Sequence, residues 1–367
     1  MKILHIITSL RLGGAERLVT DLLPRLRDRG HRVELLLFDG TRTPLYEQLE
    51  QQNIPIHALG RGTAQMHNPV HLFRLKKYLD RRRFDLVHTH NTPCQLLTAL
   101  SAGKNAPILV TTEHNTFNRR RNWPGYARID RWMYGRYDQI ACVGEQARCN
   151  LQNRLGPDSA EFDLPVIPNG IDLARFVGAA SDCTRRAAAD AAKRVVLMVA
   201  AFRPQKDQPT LIRALQHLPD DYCVWLAGDG PIRPACEGLA AALNLSERVR
   251  FWGNRTDVPQ LLAAADAVVL SSHYEGLSLS SIEGMAAGKP VIASDVAGLR
   301  DTVGGAGLLF PPGDHEALAR CIRQVCEDRT FGLAVAARCC ERAMQYDISR
   351  TVAGYDQLYR NLVQQKQ

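Results

Sequence analysis

Glu275 and Glu283 bracket a run of small and apolar residues, Gly-Leu-Ser-Leu-Ser-Ser-Ile, between a strand pattern ending at Leu270 and a helix pattern running to about Ala287. A loop of this kind entering a helix suits recognition of sugars and phosphates by backbone N–H groups, and two flanking carboxylates can accept hydrogen bonds from sugar hydroxyls. Ordinary capping or solvated glutamates produce the same spacing, so from the residues alone the two readings stand level. Arg203 and Lys206 follow directly on another strand pattern, in Ala-Ala-Phe-Arg-Pro-Gln-Lys-Asp. Arg offers a bidentate fork to phosphate oxygens and Lys a compact charge, so together they can neutralise a departing anion. Two exposed loop cations is the commoner fate of such residues.

Two further groups lie at strand ends. Gly13-Gly14-Ala15-Glu16 follows the first strand pattern and opens a helix, a geometry that turns free backbone N–H groups and a positive dipole end toward an anion. A plain tight turn fits the same residues equally well. The full dinucleotide fingerprint GxGxxG is absent here, and absent again at Gly228-Asp229-Gly230, where Arg233 replaces the third glycine. His88, His90 and His114 end successive strand patterns, in His88-Thr-His90-Asn91 and Thr112-Glu-His114-Asn115. A histidine is more often a structural hydrogen bonder than a catalyst, and three in one neighbourhood raise the odds modestly. No carboxylate accompanies them at a metal-ligand spacing, so no metal site is expected.

These residues need elements to position them. Short β-branched or leucine-rich runs, beginning with Ile3–Thr8, Val33–Phe38, Leu86–Thr89, Ile108–Thr112 and Gln139–Val143, alternate with amphipathic stretches, the signature of a parallel sheet covered on both faces. A polar, alanine-rich segment from about Gly178 to Lys193 carries no strand pattern. The alternation then restarts at Val195–Ala200 and continues to Pro290–Ala293. The organisation predicted is an N-terminal domain over 1–170, a second α/β domain over 171–347, and a C-terminal segment 348–367 whose periodic part is an amphipathic helix. Two such units imply a cleft between them, with ligands at the carboxyl ends of the strands.

With 367 residues and 45% hydrophobic content the chain is long and apolar enough for two globular domains. No apolar run reaches the roughly 18 residues that cross a bilayer. Met1–Thr8 lacks the features of a leader and reads as the first buried strand. Ten cysteines form no CxxC pair, which predicts a reducing cytoplasm rather than a disulfide or zinc framework. The net charge of +8 lies wholly in residues 1–170, with 24 basic and 16 acidic residues against 22 of each in the remainder. Clusters such as Lys76-Lys77, Arg81-Arg82-Arg83 and Arg119-Arg120-Arg121 usually mean a solvated face. The functional readings are an anionic acceptor or an acidic lipid surface; nucleic acid has no accompanying motif and is not expected as a partner.

Taken in order, these features resemble family 4 of the retaining glycosyltransferases, whose GT-B architecture sets two Rossmann-like, doubly wound parallel-sheet domains about an interdomain cleft. The resemblance runs from Met1 to about Asp347. It rests on the Gly-Gly-Ala-Glu turn, the His-Thr-His and Thr-Glu-His strand ends, Ile167-Pro-Asn169-Gly-Ile-Asp172, Arg203 with Lys206, Gly228-Asp-Gly-Pro231, Phe251-Trp-Gly-Asn254-Arg255-Thr-Asp-Val258, and the paired glutamates. The order of so many motifs is far more specific than any one of them.

The resemblance implies a retaining, metal-independent hexosyltransferase that moves a sugar from a nucleotide diphosphate sugar, a UDP-sugar first among candidates. The basic first domain suits a saccharide or lipid-linked, anionic acceptor in bacterial polysaccharide or glycoconjugate biosynthesis, and with the cysteine usage it leads to the expectation of an enzyme that is cytoplasmic and peripheral on the inner face of the membrane. No cofactor is implied beyond the donor substrate. Glu283 is expected on the donor ribose and Glu275 on the transferred sugar, while backbone N–H groups at Leu279, Ser280 and Gly14 meet the phosphates. Arg203 and Lys206 stabilise the departing diphosphate, Asn254 and Arg255 line the base, and Asn169 and Gly228 complete the donor site. His114 contacts a donor-sugar hydroxyl or the acceptor. Apart from the resemblance, His90 is expected on the acceptor from its strand end, and Arg119, Arg120 and Arg121 from their charge and their place a few residues after His114. Two positions depart from the family pattern: Ala201 stands where Arg is common, and Ser278 where Gly or Pro is usual. No Asp-x-Asp occurs, in keeping with a metal-free mechanism.

A nicotinamide oxidoreductase would need the missing glycine fingerprint. A non-hydrolysing UDP-sugar epimerase shares the two-domain fold and is the nearer rival, distinguished by the absence of an acceptor. A membrane-surface binding module would leave the motifs of the second domain unexplained.

Overall fold

The computed structural model describes residues 1–11, 13–103, 106–114, 126–156, 159, 162–178, 190 and 192–366. The chain forms two compact units, Met1–Gly170 together with Ile348–Gln367, and Ile171–Asp347. The division falls at Gly170/Ile171, ahead of the Gly178–Lys193 segment, most of which lies outside the described residues.

In the first unit the chain runs β1 (Lys2–Ile7), α1 (Gly14–Asp28), β2 (Arg32–Leu37), α2 (Pro44–Gln51), β3 (Ile56–Ala58), α3 (His71–Arg81), β4 (Leu86–His90), α4 (Thr92–Ser101), β5 (Ile108–Glu113), α5 (Tyr126–Tyr134), β6 (Gln139–Cys142) and α6 (Glu145–Leu155). The strands pair in parallel in the order β3-β2-β1-β4-β5-β6. Both faces are apolar: Ile3, Ile7, Leu35, Leu37 and Leu86 build one core, while Leu4, Ile6, Leu36 and Val87 build the other. Burial on both sides is why these strands read as near-continuous hydrophobic runs.

The second unit repeats the plan with β7 (Arg194–Val199), α7 (Gln208–Ala214), β8 (Tyr222–Ala227), α8 (Arg233–Ala242), β9 (Val249–Gly253), α9 (Val258–Ala264), β10 (Ala267–Leu270), α10 (Leu279–Ala286), β11 (Val291–Ser294), α11 (Ala297–Val303), β12 (Leu308–Phe310), α12 (His315–Glu327) and α13 (Arg329–Ala343). Its order, β12-β11-β10-β7-β8-β9, is the same doubly wound topology. In each sheet the winding reverses beside the first strand, between β1 and β4 and between β7 and β10. Connections leave those strands in opposite directions there, which opens a crevice at their carboxyl ends.

The last helix, α14 (Ile348–Lys366), belongs to the first unit. Ile348, Val352, Tyr355, Tyr359 and Leu362 recur at helical spacing and fill the core on the β1–β4 face. Asp356, on the same helix, accepts from His31 Nε2 at 2.8 Å and Arg29 at 3.1 Å, tying it to the start of β2. Including this helix, the first unit carries 27 basic and 17 acidic residues and the second 19 and 21, so the charge asymmetry follows the structural division. Among the described residues no helix is long and apolar enough to cross a membrane.

Candidate functional site

In the second unit the switch point brings two loops together. The loop after β7 carries Arg203 and Lys206; the loop after β10 carries Glu275. Lys206 Nζ is ion-paired with Glu275 Oε1, and Ser272 Oγ donates to the same oxygen at 2.7 Å. One main-chain bond and one side-chain bond clasp the two loops: His273 N donates to Gln205 O at 2.8 Å, and the Gln205 side-chain Nε2 donates to Tyr274 O at 3.2 Å. Asp207 closes the first loop in the left-handed region, at φ 50° and ψ 49°, with Thr210 Oγ1 donating to its carboxylate at 2.6 Å and Ser271 Oγ to its carbonyl at 2.8 Å. A non-glycine residue there costs about 1 kcal/mol, which the surrounding bonds offset, and such strain clusters at functional loops. Glu275 is buried and Lys206 half-buried, whereas the Arg203 side chain is exposed with no partner among the described residues.

Ser278 caps α10, its hydroxyl accepting from Ser281 N, so the amides of Leu279 and Ser280 begin the helix without an intrahelical acceptor. A capping serine does locally what a glycine or proline at this position would leave to the backbone. Glu283 is half-buried on the second turn of the same helix. Two glycines set the close approaches behind these loops. A Cβ on Gly298, in α11, would lie 1.9 Å from Gly276 O and 2.5 Å from Glu275 O. One on Gly228, whose φ is 141°, would lie 2.1 Å from Ala200 O. Gly228 therefore backs the Arg203 loop, and Gly298 fixes how near α11 comes to the Glu275 loop. Arg255 stacks 5.0 Å over the Trp252 ring and pairs with Asp257 at 2.6 Å, which holds the Asp257 carboxyl low; Asn254 beside it is exposed. Asn169, in the first unit, is buried with its Oδ1 unpartnered among the described residues.

The first unit has its own switch point. Gly13, in extended conformation, supplies no side-chain cap to α1, and Glu16 folds back against it: a Cβ there would meet Glu16 Oε2 at 2.3 Å. A carboxylate thus already lies over the turn that carries Gly14, and burial raises its pKa. Asn91, just past β4 at φ 71°, donates to Thr8 Oγ1 at 3.2 Å and bridges the ends of β1 and β4.

The histidines form a connected cluster. His5 Nδ1 lies 3.1 Å from His90 Nε2, and His90 Nδ1 lies 3.1 Å from His114 Nε2. His88 is held on both sides, by Tyr359 OH at 2.5 Å and by Thr112 Oγ1 at 2.7 Å, and Thr112 meets Tyr355 OH at 2.8 Å. Burial keeps these rings neutral, pulling His5 down to about 3, His114 to about 4, and His88 and His90 well below the usual value. His90 was expected to touch an acceptor; it is fully buried with both nitrogens occupied by other rings, so it has none to offer a ligand. His5, His88 and His90 also lie close enough to share an ion, but His88 and His90 have both nitrogens engaged in hydrogen bonds. Arg119, Arg120 and Arg121 lie outside the described residues. Motif spacing did not point to His5, the two tyrosines of α14, Ser272 or Gly298. For the tyrosines the signal was available in their helical spacing.

A family profile described as Glycosyltransferase Family 4 matches residues 12–175, and one described as Glycosyl transferases group 1 matches residues 193–328. Among relatives, a phosphatidyl-myo-inositol mannosyltransferase of Mycolicibacterium smegmatis is 28% identical over 363 residues, covering 95% of this chain and 90% of its own. A UDP-Gal:alpha-D-GlcNAc-diphosphoundecaprenol alpha-1,3-galactosyltransferase of Escherichia coli is 24% identical, covering 100% of this chain and 98% of its own. Among solved structures, Anabaena Alr3699/HepE in complex with UDP and glucose superposes with a TM-score of 0.86 at 25% identity, covering 98% of this chain and 100% of the other. With both profiles in sequence on two doubly wound sheets, the chain belongs to the group 1, family 4 glycosyltransferases, enzymes of the GT-B fold that transfer a sugar from a nucleotide sugar.

Proposed function

We propose that the second unit binds a UDP-sugar and that transfer proceeds with retention of anomeric configuration and without a metal ion. The observation that carries this reading is the Lys206–Glu275 pair at the switch point, where a cation and a carboxylate stand at the start of α10. In this reading Glu283 binds the ribose and Glu275 the transferred sugar, the amides of Leu279 and Ser280 meet the phosphates, and Lys206 with Arg203 neutralises the departing diphosphate. Asn254 and Arg255 line the base, and the stacked, paired Arg255 is already ordered for that task. As the bond from the anomeric carbon to the diphosphate breaks, the acceptor oxygen bonds to that carbon and its proton passes to the leaving phosphate. The solved relative holding UDP and glucose and the relative named for UDP-Gal support the choice of nucleotide.

A panel of nucleotide sugars tests the donor. UDP and UDP-sugars should raise the unfolding temperature most, because a ligand at about a hundred times its Kd adds roughly 2.7 kcal/mol. Turnover should survive EDTA and yield product of the donor's own anomeric configuration. Loss of activity on chelation, restored by magnesium or manganese, rejects the metal-free mechanism. Interconversion of the UDP-sugar without an acceptor makes the protein an epimerase.

For the first unit we propose a lipid-linked or other anionic saccharide acceptor, in bacterial polysaccharide or glycoconjugate assembly, reached from the cytoplasmic membrane face. Support comes from its excess of basic residues and from α3, where Phe73 is 74% exposed beside Arg74, Lys76, Lys77 and Arg81. Attraction to anionic lipid is worth about 1 kcal/mol per basic residue near the surface and is screened by salt. Vesicles rich in acidic lipid should co-sediment the protein at low ionic strength, and Phe73→Ser with Lys76→Ser and Lys77→Ser should cut the bound fraction several-fold. Equal binding by this variant and the wild type would remove α3 from the membrane contact.

A further inference from the structure

The three rings His5, His90 and His114 form an unbranched chain across β1, β4 and the end of β5. Three neutral imidazoles carry three N–H protons on six nitrogens, and each of the two ring-to-ring bonds uses one donor and one acceptor. The terminal nitrogens, His5 Nε2 and His114 Nδ1, are then left with one proton and one lone pair between them. Neither terminal nitrogen has a hydrogen-bond partner among the described residues, and both atoms are shielded from water.

The two ends differ. His5 is fully buried in the core, with the His88 ring 4.9 Å away and the Tyr359 ring 6.4 Å away, and its Nε2 finds no oxygen acceptor. An N–H without an acceptor in such a place is the rarer defect, because the donor is left wholly unsatisfied. His114 is part-exposed at the strand end, where a ligand can supply the acceptor, whereas His5 is sealed in the core, so the favoured arrangement leaves the lone pair on His5 Nε2 and puts its proton on Nδ1. His5 then donates to His90, and His90 donates to His114 Nε2. The remaining proton of His114 falls on Nδ1, at the strand end.

We infer that His5 and His90 are positioning residues that hold His114 in the Nδ1–H tautomer, so that it presents a neutral hydrogen-bond donor to an oxygen of the bound substrate rather than a base. This rests on the donor and acceptor reading given above only for the identity of the substrate; the tautomer itself does not depend on it. A sugar hydroxyl or phosphate oxygen meeting that N–H would satisfy a nitrogen that otherwise stands buried and unpaired. A ring so fixed cannot remove the acceptor proton, which agrees with transfer of that proton to the leaving phosphate. His88 shares the cluster but is bound to Tyr359 and Thr112 and takes no part in the chain.

The test is nitrogen-15 NMR of the full chain labelled at histidine, with the His114 signals assigned by their loss in His114→Gln. The expected result is a protonated Nδ1 and an unprotonated Nε2 at neutral pH. His5→Asn places an amide donor near the position of Nδ1 and should keep both the tautomer and the turnover. His5→Leu removes the donor and should mix the tautomers and lower kcat/KM about tenfold, with UDP affinity by calorimetry unchanged. A wild-type His114 protonated on Nε2 overturns the inference, as does a folded His5→Leu with an unaltered His114 tautomer. Failure of the wild type to bind UDP would instead defeat the donor reading and leave the NMR result to decide the relay by itself.

Discussion

Lys206→Ala is expected to lower kcat by about a thousandfold while leaving the affinity for UDP within a few-fold of wild type. Removing one preorganised donor aimed at developing negative charge typically costs about 2.7–4 kcal/mol in the transition state. Here the lysine is held in place before any ligand arrives, by its pair with Glu275 and by the Gln205 clasp between the two loops. The substitution also strips a buried carboxylate of its cation. Ser272 Oγ remains bonded to that oxygen, and Lys206 is partly solvated, so the loss of stability should stay near 1–2 kcal/mol, below the 3–5 of a fully buried pair. Glu275→Ala should reduce turnover while sparing UDP binding, and Glu283→Ala should weaken UDP itself. Gly298→Ala offers an independent route to the first phenotype, because the added methyl overlaps the carbonyls of Glu275 and Gly276 without touching the carboxylate. Kinetics with the intact donor, calorimetry with UDP and a urea titration separate the effects. Turnover of Lys206→Ala within a few-fold of wild type, in a folded protein, would sink the leaving-group assignment.

Acidification from about pH 7.5 to 5.5 is expected to destabilise the first unit by several kcal/mol and the second far less. His5, His88, His90 and His114 are held neutral in the folded state, their pKa values pushed down by burial. In the unfolded chain they take up protons near pH 6.5. Below that pH the unfolded state binds more protons than the folded one, so stability falls as pH falls, by about 1.4 kcal/mol per histidine per pH unit. The loss continues until the folded values are reached, about 4 for His114 and about 3 for His5. At about pH 5.5 four independent groups would remove roughly 5 kcal/mol, comparable to the whole stability of many domains. Glu16 opposes the trend, since its raised pKa favours the folded state on protonation, but it is a single group. Peptide-resolved hydrogen exchange across this range would assign the loss, with peptides of β1, β4 and β5 opening first. Equal loss of protection in β7, β8 and β10 would show that the histidine cluster is not the cause.

The alternation of apolar strands with amphipathic helices is a local property, carried by side-chain periods of about 2 and 3.6 residues, and for that reason both sheets are legible in the amino-acid sequence. The ordered motifs likewise point to the loops after β7, β8 and β10, because strand ends in a doubly wound sheet are where ligands collect. Ser278 looks like a departure from its family, and the structure gives it a task as the cap of α10. Ala201 has no such substitute: its side chain is exposed, and the nearest arginine, Arg203, stands two positions on without a partner among the described residues.

By itself the sequence determined the fold class, the family and the identity of the switch-point loops, since these follow from residue type and short-range spacing. Only the tertiary structure decided what those residues touch. Lys206 meets Glu275 across 69 positions, and His88 meets Tyr359 across 271, contacts that no local period encodes. His90 passed in the sequence for a strand-end residue facing a ligand, and became an interior link because His5 on the neighbouring strand sits in register with His88 and its ring reaches over. Gly298 drew no notice in the sequence, for its value lies in the side chain it lacks where another loop's backbone passes. The physical reason is common to all of these. A period specifies which face a side chain takes, whereas the partner on that face is chosen by strand order and register, which emerge only when distant segments pack.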